Sequence, residues 1–239
     1  MARIVLDDLT KRYGPVAAVE NLSFTLEPGS ITGFVGGNGA GKSTTLRMLL
    51  GLTRPTAGSA TFDGKAYGDI PRPATKVGAM TDPDMFHPGR TGRDALLVAA
   101  RVCGVSDRRV TQILELVDLT ASADRRVRTY SLGMRQRLGL AAAMLADPET
   151  LVLDEPANGL DPVGIHWLRG LLRGLADEGR TVLVSSHQLA ELAQTVDDVI
   201  VVDHGRLIAR GSTSSLLTQH HSASLEDLFL QLVTKGSAS

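Results

Sequence analysis

Gly36-Gly37-Asn38-Gly39-Ala40-Gly41-Lys42-Ser43 constrains this chain more than any other stretch of its sequence. So many glycines in one short run exclude a helix interior or a strand, because each costs either element about 0.5–1 kcal/mol relative to alanine. The apolar run Ile31-Thr32-Gly33-Phe34-Val35 before it reads as a buried strand, and Thr44 to Leu50 after it as a helix. Strand, glycine-rich loop and helix in that order fit G-x-x-x-x-G-K-[ST], a loop whose backbone N–H groups surround phosphate oxygens. The helix start adds the positive end of its dipole. Gly36 to Thr44 then hold phosphates, Lys42 reaches the β- and γ-phosphates, and the Ser43 hydroxyl is placed for magnesium. The loop implies a nucleoside triphosphate and says nothing of what its energy drives.

The rest of the chain sets the frame for that loop. Its 239 residues suffice for one large domain with a subdomain. The net charge of −1 argues against a nucleic-acid footprint, which needs a strong basic excess. Cys103 is the single cysteine, so no internal disulfide forms, and its apolar surroundings predict a buried small hydrophobe. The first residues lack a secretory signal, and no apolar run reaches the roughly 18 residues of a membrane helix. These features predict a soluble, cytoplasmic chain whose membrane association runs through a partner.

Strand signals cover Arg3 to Leu6 and Val16 to Leu26, with turns at Tyr13-Gly14-Pro15, Glu27-Pro28-Gly29 and Arg54 to Gly58. Further strands are expected at Ser59 to Phe62 and Lys76 to Met80. Thr91 to Ala146 is helical in pattern, with Ala95, Leu96, Ala99, Val102 and Cys103 on one face. Leu151 to Leu153, Thr181 to Val184 and Val199 to Val202 are short apolar runs separated by helical patterns, the sign of a parallel sheet buried on both faces. His204-Gly205 turns into Arg206 to Ala209, Ser224 to Val233 reads as an amphipathic helix, and 236–239 as a frayed tail.

Leu151-Val152-Leu153-Asp154-Glu155 is a buried strand ending in two carboxylates. Ligands of a parallel α/β sheet bind at the carboxyl ends of its strands, which places Asp154 to hold magnesium and Glu155 to orient and deprotonate water. Tyr130-Ser131-Leu132-Gly133-Met134-Arg135-Gln136-Arg137-Leu138 starts a helix at Ser131, a good N-cap, with Gly133 in the first turn where backbone can approach a ligand. This last segment resembles the LSGGQ signature of ATP-binding cassette (ABC) ATPases, in the variant S-L-G-M-[KR]-Q-R.

The resemblance spans nearly the whole chain. It implies an α/β fold: a P-loop NTPase (RecA-like) core at 1–90 and 147–235, with an N-terminal antiparallel β subdomain and an inserted α-helical subdomain at 91–146. It makes Tyr13 the aromatic residue that stacks on adenine, and Asp161, in Asn158-Gly159-Leu160-Asp161, part of the D-loop at a dimer interface. His187 becomes the switch histidine at the γ-phosphate, and Ser131 and Gly133 the cap on ATP held by the opposite subunit. His87, His166, His204, His220 and His221 match no motif and are expected to be structural or on the surface. One position departs from the pattern. Asp82 stands where the family places the Q-loop glutamine; an aspartate can ligate magnesium through oxygen but loses the amide donor.

The resemblance further implies ATP and magnesium as cofactors, hydrolysis, a second nucleotide-binding domain (a homodimer), and a separate polytopic membrane subunit. The chain is expected to sit at the cytoplasmic face of the membrane through that subunit. The signature variant, His87-Pro88-Gly89-Arg90-Thr91 and Ser224 to Phe229 resemble cassettes of the type-2 export class, which points to drugs, antibiotics or similar compounds. The rival expectation is a soluble ABC ATPase of translation, DNA or iron–sulfur assembly. Absent heptads and near-neutral charge weigh against it.

Overall fold

The computed structural model describes residues 3–82 and 84–236. Of the expected frayed tail, Gly236 closes the last helix, and 237–239 lie outside the described residues. The chain opens with β1 (Ile4–Tyr13) and β2 (Val16–Leu26), an antiparallel pair, followed by β3 (Ile31–Val35) and α1 (Lys42–Leu49). β4 (Ala57–Phe62) then pairs with the other edge of β1, closing a three-stranded sheet of order β2-β1-β4.

Two of these strands are longer than their sequence signals. β1 runs on from Leu6 to Tyr13 although Asp7-Asp8 break the apolar alternation. The chain absorbs the break as a bulge: Asp8 takes φ +45° and the register with β2 shifts between Leu6 and Leu9. Facing the bulge, Gly58 sits inside β4 rather than in a turn. Its φ is +74°, and a Cβ there would come within 2.2 Å of the Asp8 carbonyl oxygen, so only glycine lets the two backbones approach.

The second sheet is built from β5 (Val77–Met80), β6 (Thr150–Asp154), β7 (Thr181–Ser186), β3, β8 (Asp198–Asp203) and β9 (Arg206–Ser212), in that spatial order. All pairs are parallel except β8 with β9. Ile31, Val35, Leu151, Leu153, Val182, Val184, Val199 and Val201 face one hydrophobic core. Phe34, Val152, Leu183, Ile200 and Val202 face another, shared with α1 and the three-stranded sheet. Both faces being covered is why these strands read as unbroken apolar runs.

Between β5 and β6 lie α2 (Gly92–Cys103), α3 (Asp107–Leu116), two short 3₁₀ turns and α4 (Leu132–Met144). The expected apolar face of α2 needs one correction. Gly92, Ala95, Leu96 and Ala100 are buried, whereas Val102 is 85% exposed. At 3.6 residues per turn Val102 stands about 100° away from the line through Leu96 and Cys103. Cys103 itself is half-buried. α4 lies directly against β5: a Cβ on Gly78 would meet the Ala143 carbonyl oxygen at 2.0 Å, and one on Gly139 the Met80 sulfur at 2.7 Å. It stops at Met144, short of Ala146, and Asp147 reverses the chain at φ +55°.

α5 (Pro162–Asp177) and the single turn α6 (Leu189–Leu192) cover the sheet, with α7 (Thr213–Gln219) and α8 (Leu225–Gly236) after β9. α7 has too few apolar residues to show a helical period; Ser212 starts it by accepting the Ser215 N–H at 3.2 Å.

Candidate active site

Parallel pairing decides what meets at the sheet edge. Val35 is level with Ser186, and Asp154 with Ser185. The loop after β3, the carboxylates ending β6 and the histidine after β7 therefore converge. A cleft of about 340 Å³ results, lined by Ala18, the loop from Gly37 to Thr44, Glu155, Asn158 and His187.

Within the loop the glycines do two different things. A Cβ on Gly36 would strike the Val202 carbonyl oxygen at 2.5 Å, and one on Gly41 (φ +95°) the Ala18 carbonyl oxygen at 2.4 Å, so these two let the loop settle onto its scaffold. Gly37 and Gly39 have nothing within 4 Å of a built Cβ and leave the loop open to a ligand. α1 starts at Lys42, and its first backbone bond is Thr45 N–H to Gly41 at 2.9 Å. The amides of Lys42, Ser43 and Thr44 thus have no helical acceptor, and they border the cleft with the positive end of the helix. Lys42 is 7% exposed; its ammonium donates to the Gly36 carbonyl at 2.7 Å and the Gly37 carbonyl at 3.3 Å.

Glu155 lies at the turn out of β6 with φ +50°, a costly value for a non-glycine residue. Its Oε2 accepts the His187 backbone N–H at 3.3 Å and meets His187 Nδ1 at 2.8 Å, while Oε1 is 3.8 Å from Lys42 Nζ. An ionised Glu155 accepts the Nδ1–H of His187 and leaves Nε2 on the side of the ring away from it. The carboxylate thus sits between the loop lysine and the histidine, where it can take a proton from water.

Ser185 was not singled out by sequence reasoning, and it ties the two carboxylates together. Wholly buried at the end of β7, it gives its hydroxyl proton to Asp154 Oδ1 and accepts the Glu155 N–H at 3.0 Å. The available signal was a polar pair, Ser185-Ser186, closing an otherwise apolar strand. The Ser43 hydroxyl lines the cleft, whereas Asp154 stands next to Glu155 outside the lining, its Oδ1 engaged by Ser185; among the described residues no group of three or more His, Cys, Asp or Glu forms a metal cage. That sparse oxygen set suits a magnesium ion that keeps water and phosphate oxygens as its other ligands.

The remaining expected site residues lie elsewhere. Ser131, Gly133 and Asp161 border a second hollow of about 380 Å³ with Gly159, Leu160 and Arg137. Ser131 caps α4 through the Met134 N–H (3.2 Å), and Asp161 caps α5 through the Gly164 N–H (2.8 Å). Gly133 packs so closely on the loop before α5 that a Cβ would meet the Gly159 carbonyl oxygen at 2.9 Å. Tyr13 ends β1, 53% exposed, with the Lys11 ammonium 5.0 Å from its ring centre; the cleft wall on this side is Ala18. Asp82 is exposed and accepts the Asp84 N–H at 2.8 Å, outside the cleft lining. Among the described residues no helix is long and apolar enough to cross a membrane.

Comparison with known proteins identifies the family and the fold. Residues 19–158 match the family described as ABC transporter. The bacitracin transport ATP-binding protein BcrA of Bacillus licheniformis is 42% identical over 204 residues, which cover 84% of this chain and 67% of the relative. The Nod factor export ATP-binding protein I of Rhizobium sp. (strain N33) is 38% identical over 236 residues, 96% of this chain and 78% of the relative. A solved ATP binding subunit of an ABC transporter superimposes with a TM-score of 0.87 at 28% identity, covering 96% of this chain and 99% of that one. A dimeric ATP-binding cassette in a post-hydrolysis state with ADP and Pi shares the fold, with a TM-score of 0.80 at 23% identity over 87% of this chain and 98% of that one.

Proposed function

The chain belongs to the ABC transporter family as an ATP-binding, ATP-hydrolysing subunit of export type, and from that premise we propose that it works by closing head to tail on a second copy of itself. One observation carries the proposal: the cleft of Lys42, Glu155 and His187 and the hollow of Ser131, Gly133 and Asp161 are separate concavities on one chain. Asn158 borders the first, and Gly159 to Asp161 the second, so one loop joins them. Two chains facing each other bring each hollow over the other's cleft, and the start of α4 then presents its amides to the γ-phosphate across the interface.

In the closed pair, Gly36 to Thr44 hold the phosphates and Lys42 leaves its loop carbonyls for the β- and γ-oxygens. Tyr13 stacks on the base. Ser43 and Asp154 would hold magnesium, Ser185 fixing the carboxylate; the ion would neutralise phosphate charge. Glu155 receives the proton of the attacking water, and His187 faces the γ-phosphate. Asp82 would offer the ion a carboxylate oxygen in place of the family's glutamine, without its amide donor. ATP forms part of the interface, so hydrolysis weakens the closed form, a differential interaction able to drive a cycle.

The work done is export through a separate polytopic membrane subunit, which holds this chain at the cytoplasmic face of the membrane. Relatives named for bacitracin transport and Nod factor export favour this over a non-transport ABC ATPase. They support a drug, an antibiotic or a similar compound as cargo, chosen by the membrane subunit. The test is Glu155→Gln: with ATP and magnesium it is expected to elute as a dimer in size-exclusion chromatography, with hydrolysis nearly abolished. A folded variant that binds ATP and stays monomeric refutes the head-to-tail arrangement.

A further inference from the structure

Three consecutive residues of α4 reach three different parts of the molecule. Arg135 pairs with Asp84, in the loop after β5, at 2.9 Å. Arg137 donates to the Val117 carbonyl at 3.0 Å and lies 4.4 Å over the ring of Trp167 on α5. Gln136, between them, points inward. It is only 2% exposed, its Nε2 donates to the Glu155 carbonyl oxygen at 3.4 Å, and its Oε1 meets no donor among the described residues. Turning the amide over would set oxygen against oxygen, so the donor must face Glu155.

Glu155 needs such a hold. Its left-handed backbone is not self-supporting, and the angle at this residue decides where the carboxylate sits between Lys42 and His187. Ser185 secures its N–H from β7 at 3.0 Å, and on its carbonyl the Asn158 N–H arrives from the following loop at 3.2 Å. The remaining contact comes from a different body: α4, whose first turn carries Ser131 and Gly133.

We propose that Gln136 is a positioning residue for Glu155, linking the helix that serves the opposite site to the carboxylate that acts in its own. A shift of α4 on meeting the partner's nucleotide moves the Gln136 amide, and with it the Glu155 backbone. The long, single hydrogen bond and the bare amide oxygen suit a contact that re-forms as α4 moves. The relay rests on the head-to-tail reading above; the positioning of Glu155 within one chain does not.

The substitution Gln136→Met keeps the volume and removes the orphan acceptor, and the Glu155 carbonyl it leaves still accepts the Asn158 N–H at 3.2 Å, so the cost to folding is small. Its kcat is expected to fall about tenfold to a hundredfold, the scale of a catalytic group moved by up to an ångström. KM for ATP and the thermal midpoint stay at wild-type values, and the Hill coefficient for ATP falls towards one if wild type is cooperative. Gln136→Leu serves as a second variant should the first not fold. An unchanged kcat overturns the inference, as does a parallel loss of kcat, ATP affinity and thermal stability, which marks a merely structural role. The two proposals fail separately. If Gln136→Met loses kcat alone but Glu155→Gln never dimerises, the head-to-tail reading and its relay fall and the positioning role stands. If the dimer forms and Gln136→Met is fully active, only this inference falls.

Discussion

Replacing Ser185 by alanine tests the construction of the site at its least visible point. The hydroxyl is wholly buried and makes two bonds, one to Asp154 Oδ1 and one from the Glu155 N–H. A hydrogen bond to an ionised carboxylate contributes about 1.5–3 kcal/mol, and a buried N–H left bare costs about 1–3 kcal/mol. Both partners lie partly within reach of water, so the low end of each range applies, and part of that is recovered by solvation. The net expectation is about 2 kcal/mol, which for a domain of this size lowers the thermal midpoint by roughly 4–8 °C. Catalysis suffers more than folding, because Asp154 and Glu155 both lose a fixed bearing: kcat falls about tenfold to a hundredfold. KM for ATP stays within about twofold, since the loop from Gly37 to Thr44 makes no contact through this hydroxyl and a loss confined to kcat marks groups used after binding. Steady-state phosphate release and a thermal melt on the same preparation measure both. A variant with wild-type kcat and a lowered midpoint would refute the claim that Ser185 orients the carboxylates.

Lys42→Ala removes the one buried ammonium lining the cleft, and turnover should drop below detection while the thermal midpoint of the nucleotide-free protein changes little; an unchanged ATPase rate sinks the site assignment. Gly133→Ala puts a Cβ 2.9 Å from the Gly159 carbonyl oxygen, and the start of α4 and the loop before α5, which border the second hollow, must part. ATP binding to the isolated chain should survive in a titration with a fluorescent analogue, while ATP-dependent dimerisation in the Glu155→Gln background weakens at least about tenfold, the effect of some 1.4 kcal/mol; equal dimer affinity contradicts it. Burial raises the Cys103 thiol above its ordinary range, which leaves less thiolate near neutrality. Maleimide labelling of the native protein at about pH 7 should therefore be slower than in denaturant, where the thiol titrates at its ordinary value; equal rates count against the buried environment.

Much of the site was legible in the chain because its chemistry is local. A phosphate loop needs its glycines and lysine in one short run, and a magnesium carboxylate must end a strand, so Gly36 to Ser43 and Asp154-Glu155 stand out without any fold. His187 and Ser131 were readable through the family likeness and their places at a strand end and a helix start. Ser185 and Gln136 were not. A serine closing a β-strand and a glutamine in a helix are ordinary in sequence, and each acquires a role only from the element packed against it.

The amino-acid order alone carries most of the elements and their chemical content: apolar runs for a sheet covered on both faces, a loop for phosphates, and a capped helix start at Ser131. Local propensity and short motifs carry that information, because the forces involved act between near neighbours in the chain. Which ends meet is settled by packing across the fold. Parallel registers set Val35 level with Ser186 and Asp154 level with Ser185, which brings Lys42, Glu155 and His187 within a few ångströms. The same packing of α4 on β5 holds Ser131 and Gly133 in a separate hollow. Strand order and helix docking depend on contacts between residues over a hundred positions apart, such as those of β3 with β7, and no local pattern records them.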